Sequence, residues 1–126
     1  MTPQVPVSWG ELIDKIAILE IKAERLSSES ARANVKRELE QLSAIAAKAA
    51  HPKLAPLKAA LKRVNETLWQ IEDDIREKEA KKVFDAGFVE LARAVYRNND
   101  ERGRLKAEIN AALGSEFVEE KQYVRY

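Results

Sequence analysis

The sequence predicts an all-α fold, with antiparallel helical hairpins forming a four-helix bundle or a coiled-coil-like domain. Three observations predict it. Apolar residues recur at alternating three- and four-residue steps in several separate stretches. Charged residues make up 34% of the chain, above the roughly 25% of an ordinary domain, which suits long solvated helices. No stretch reads as a conventional strand. At 126 residues and 45% hydrophobic, the chain can build one real core, and a single domain over 1–126 is expected.

Residues 1–7 read as an extended arm, because Pro3 and Pro6 bias their predecessors away from helix. Ser8 to Glu11 has the form of a capping box opening a helix over about 9–27. Its stripe is Trp9, Leu12, Ile16, Leu19, Ala23 and Leu26. A second helix is expected over about 31–50, with Ser30 as its cap and Val35, Leu39, Leu42, Ala46 and Ala49 as its stripe. His51-Pro52 stops it, and His51 reads as an end cap rather than a base.

Pro56 fits the first turn of a third helix over about 55–81, which carries the cleanest stripe: Leu57, Leu61, Val64, Leu68, Ile71 and Ile75. Asp85 is a candidate cap for a fourth helix over about 86–113, with Phe84 stapled against Phe88 or Val89. Gly114 is a suitable stop. Asn98, Asn99, Asp100 and Gly103 are poor helix formers, but the apolar phase is unchanged across them, which favours one continuous or mildly kinked helix. The apolar tail 115–126 is expected to pack back on the bundle. A short ribbon between residues 5–7 and 123–125 is the alternative.

Composition excludes much chemistry. Without Cys there is no disulfide, thiol nucleophile or zinc–cysteine site, and one His supplies no Glu-x-x-His pair. No metal and no cofactor are expected. With 22 basic and 21 acidic side chains the net charge is +1, so a nucleic-acid partner is not expected. No apolar run exceeds four residues, which excludes a spanning segment, and a cytoplasmic location is expected.

Polar residues inside apolar stripes mark the candidate site. Around Ile16 to Ile21 the first helix is apolar on most sides, so Glu20, with Asp14 and Lys15 beside it, faces burial. Asn98 and Arg102 occupy core positions of helix four, and Asn99, Arg102, Lys106 and Asn110 share a polar stripe. A carboxylate of helix one, Asp14 or Glu20, is expected to pair with Arg102 and set helix register. A purely register-setting layer predicts that Arg102→Met keeps or raises stability. The alternative is a small-anion pocket built on the same cations. Trp69 with Glu72 and Asp73 is a candidate binding surface.

The stretch Pro6-Val7-Ser8-Trp9-Gly10-Glu11-Leu12-Ile13-Asp14-Lys15-Ile16, with Asn99-Asp100-Glu101-Arg102 and Gly114-Ser115 before Glu119-Glu120-Lys121, resembles a small bacterial helical family of unknown function. The resemblance covers nearly the whole chain. It implies a stand-alone bacterial protein, and a surface-polysaccharide role through relatives placed beside sugar-biosynthesis modules. It carries no catalytic residue. Ile13-Asp14-Lys15-Ile16 and Glu24-Arg25 are similar to the first helix of all-helical chorismate mutases, which implies a charge-stabilising role for Arg25, Arg102 and Lys106. The function expected is a non-catalytic interaction or scaffold module, with a homodimer or another protein as partner. The alternative is a small-anion-binding protein or enzyme with that chorismate-mutase-like site.

Overall fold

Local chemistry starts and stops each helix. The computed structural model describes residues 1–126 and contains four helices and no strand. The Ser8 Oγ accepts the Glu11 N–H at 3.1 Å and starts α1, Trp9–Arg25. Only half of the expected capping box forms, because the Glu11 carboxylate turns to Lys106 at 2.9 Å instead of reaching back. Helix α1 ends at Arg25, two residues before the expected boundary at 27. Ser28, not Ser30, caps α2, Glu29–Ala46, by accepting the Ala31 N–H at 3.3 Å.

Helix α2 stops at Ala46 rather than near Ala50. The chain there passes into tight turns, Lys48 to Ile45 and Ala49 to Ala46. Ala46 packs against the core, whereas Ala47, Lys48 and Ala50 are exposed, and alanine propensity alone does not carry a helix past its tertiary cover. His51 sits in the connection, where its Nδ1 accepts the Lys53 N–H at 3.1 Å.

Helices α3, Leu54–Ala80, and α4, Ala86–Leu113, form the long hairpin. Asp85 caps α4 through the Phe88 N–H at 2.9 Å, and the Phe84 ring meets Phe88 edge-on with centroids 5.2 Å apart. Helix α4 runs unbroken through 98–103. Both helices end in the same hydrogen-bond pattern: Val83 to Lys78 with Lys82 to Glu79, and Ser115 to Asn110 with Gly114 to Ala111. The left-handed residue is Gly114 at φ 60° in one and Lys82 at φ 57° in the other.

Helix α1 is the hub. It approaches all three other helices closely, α3 approaches α4, and α2 approaches α1 alone. The core consists of Leu12, Ile13 and Ile16 from α1, Leu61 from α3, and Leu105 and Ile109 from α4. Leu39 and Leu42 of α2 lean on it, half-buried. Residues 5–7 and 123–125 form no ribbon. The tail instead lies along α4. No helix is long and apolar enough to cross a membrane.

Candidate functional site: a buried charge cluster

Asp14 lies between Ile13 and Ile16, both buried, on a helix covered on several sides, so its carboxylate has no route to water. It is 1% exposed. The Arg102 guanidinium grips it as a fork. Nε donates to Oδ1 at 3.0 Å and Nη2 to Oδ2 at 2.5 Å. The Asn65 amide donates to Oδ1 at 2.9 Å, and the Lys106 Nζ stands 4.0 Å from Oδ2. The hydrogen bonds it donates to Asp14 hold the Arg102 guanidinium above its ordinary range against the opposing effect of burial.

Lys106 forms a second tier. Its side chain is 8% exposed and donates to Glu11 at 2.9 Å and Glu119 at 3.0 Å. Burial alone would lower the ammonium, but these two carboxylates reverse that and raise it. Glu119 is held below the usual carboxylate range, chiefly by Lys106. Glu119 belongs to the tail, which is therefore latched to α4. The Tyr126 hydroxyl donates to Asp100 further along, and its ring meets Tyr96 edge-on with centroids 4.9 Å apart.

At the mouth of the cluster the backbones of α1 and α4 nearly touch. The Gly10 N–H donates to Asn110 Oδ1 at 2.6 Å, and a Cβ on Gly10 would lie 2.5 Å from the Lys106 carbonyl oxygen. Here glycine is required by close approach, not by φ. The Ser115 Oγ accepts the Trp9 N–H at 3.2 Å and ties the tail to the start of α1. Three helices and the tail thus converge on one charge cluster.

Residues 3–125 match a family of unknown function, DUF6165. The chain belongs to that family. Neither a curated protein nor a solved structure matches it.

Of the residues marked from the sequence, Asp14, Arg102 and Lys106 come together. Lys15 does not join them. It points outward to Glu38 at 2.9 Å. Glu20 pairs with Lys58 at 3.0 Å instead of Arg102. Positions 14, 15 and 20 point in different directions around a helix of 3.6 residues per turn, so one cluster cannot take all three. Asn98 bonds its own helix, donating to the Ala94 carbonyl at 2.9 Å. Asn99 lines an open groove of about 560 Å³ with Ile18, Trp69, Glu72, Asp73 and Arg102. The Trp69 face is already taken by Arg25, 5.9 Å from the ring centroid, and Glu72 by Arg76 at 3.0 Å.

The expectation that Arg102→Met keeps stability does not survive the geometry. Asp14 is too deeply buried to lose its main partner, and a lone buried carboxylate is costly. Sequence reading placed Asn110 on the polar stripe of helix four and missed Gly10, Glu11, Asn65 and Glu119 as members of the cluster. Asn65 carried a signal, lying four residues after Leu61 and three before Leu68, on the apolar side of the helix. Gly10 carried another, being a poor helix former just inside a capped start. Glu119 carried none, because its partner is set by how the tail folds back.

Proposed function

We propose that this protein is a non-catalytic interaction or scaffold module, and that its interior charge cluster fixes the register of α1 on the α3–α4 hairpin. The observation that carries this reading is the closure of the cluster. Asp14 is 1% exposed and is bonded by side chains from both α3 and α4. No buried side-chain polar atom anywhere in the chain lacks a partner. A closed set of paired ions adds little to stability over an apolar core but penalises every other alignment. Sliding α1 by one turn would part Asp14 from Arg102. It would also set a side chain of α1 against the Lys106 carbonyl, where only Gly10 fits.

The second reading is a small-anion site, of the chorismate-mutase-like kind, using Arg102, Lys106, Asn98, Asn99 and a helix-one carboxylate. One observation favours it: Arg102 is 30% exposed and borders the open groove beside Asn99. Against it stands the carboxylate already held by each cation: Asp14 on Arg102, Glu11 and Glu119 on Lys106, Glu66 near Arg25 at 4.0 Å. Thermal melts in phosphate or a dicarboxylate, against chloride at equal ionic strength, separate the two. The register reading expects no anion-specific change. A saturable rise in Tm that Arg102→Lys abolishes would replace it with the anion reading.

A further inference from the structure

The α3–α4 hairpin is much longer than the helix that covers it. At 1.5 Å per residue, α1 with its 17 residues is about 25 Å long, while α3 and α4 with 27 and 28 are about 41 and 42 Å. In its proximal half α1 closes the seam between the two long helices, and the core forms there. In the distal half the seam continues with the same kind of residue, Ile75 on α3 and Phe88, Leu91 and Val95 on α4. All four are only half-buried, and no residue between Ile71 and Leu105 is buried. Two helices by themselves cover only the sides that face each other.

The surface area says how much is left uncovered. A compact protein of this size exposes about 6,800 Å² by size scaling. This 14.3 kDa chain exposes 8794 Å². The excess is about 2,000 Å². Three regions that bury little contribute to it: the arms before Ser8 and after Gly114, α2 with Val35 as its one buried residue, and the distal hairpin, where nothing between Ile71 and Leu105 is buried. A standard interface takes about 800 Å² from each partner, and obligate homodimers take more.

We propose that a second copy of this chain covers the distal seam, its own distal hairpin lying against the first to complete an intermolecular four-helix bundle. The inference rests on the interaction-module reading and names the partner. An uncovered hairpin is half of such a bundle. Two-fold pairing matches the patch with itself, so the uncovered lengths are equal and the assembly closes at two copies. With the proximal cores at opposite ends, each distal seam overlies the other and neither core is in the way.

Light scattering at tens of micromolar is expected to give twice the chain mass. The double variant Leu91→Glu with Val95→Glu is expected to halve that value while circular dichroism keeps the helices. If the variant loses the hairpin, hydrogen exchange on the unaltered protein decides. Raising the concentration should slow exchange over residues 72–98 and leave α2 unchanged. A monomeric mass at tens of micromolar overturns the proposal, as does concentration-dependent protection falling on α2 or the N-terminal arm instead. Monomeric protein would leave the interaction reading standing with a different protein as partner, whereas an anion-specific rise in Tm would remove that reading and leave the dimer untouched.

Discussion

The two halves of the long hairpin carry similar apolar stripes and meet different fates. Near Leu61, Leu105 and Ile109, the third helix α1 fills the seam and burial is complete or nearly so. Past Ile71, Ile75, Phe88, Leu91 and Val95 repeat the pattern but stay half-exposed, since only two helices are present. The polar residues divide the same way. The proximal half holds the charge cluster of Asp14, Arg102 and Lys106. In the distal half the ion pairs, such as Arg76 with Glu72 and Arg97 with Glu90, lie on the surface. Surface pairs of that kind contribute little. The periodicity of a stripe therefore says which side of a helix seeks cover. How much cover it gets depends on how many elements converge there.

The comparison can be broken most forcefully at Asp14. Asp14→Ala leaves the Arg102 guanidinium facing a void without its carboxylate, while Lys106 keeps Glu11 and Glu119, and is expected to cost about 3 kcal/mol in urea unfolding. Combining Asp14→Leu with Arg102→Met removes both charges and should recover most of that loss.

Core truncation measures the asymmetry directly. Leu61→Ala, at a position with no exposure, is expected to cost about 3 kcal/mol. Leu91→Ala in the distal seam should cost about 1 kcal/mol under dilute, monomeric conditions. Equal losses in chemical denaturation would erase the distinction between the halves. Gly10→Ala tests the close approach that locks α1 to α4, and about 2 kcal/mol is expected from the forced separation of the helices.

Smaller effects sharpen the comparison at the edges. Folding holds Glu119 below its ordinary range, so the folded chain binds fewer protons than the unfolded chain as the pH falls. The stabilisation from this latch is present above the ordinary glutamate value and is lost as the pH drops through the lowered one. The tail should therefore loosen as the pH falls below the ordinary glutamate range while the helices persist, as read by backbone relaxation over residues 115–126. At the far end, Lys82 takes the left-handed conformation that Gly114 supplies at the end of α4. Lys82→Gly is expected to raise stability by less than about 1 kcal/mol in thermal melts.

The candidate site was partly legible before folding. Arg102 interrupts the apolar stripe of helix four, and the sequence offers two carboxylates at the apolar belt of helix one to meet it, Glu20 within the belt and Asp14 beside it, of which the fold selects Asp14. Lys15 and Glu20 were grouped with them by proximity in the chain, yet the helical turn points them elsewhere. Asn98 sits at a core position but satisfies itself on its own backbone. Asn110 shares the polar stripe of Arg102 and Lys106, whereas Glu119 enters through a contact that the linear sequence does not encode locally.

By itself the sequence determined the number of helices, several of their caps and stops, and the stripe each would bury. These depend on near-neighbour chemistry, such as the Ser8 and Asp85 oxygens and the freedom of Gly114, acting within a turn or two of chain. Only the tertiary structure decided that α1 is the hub, that α2 leans on it alone, that the tail latches onto Lys106, and that half of the long seam is left open. Those outcomes depend on the relative lengths and crossing of helices far apart in sequence, because burial is a property of what converges on a residue and not of the residue alone.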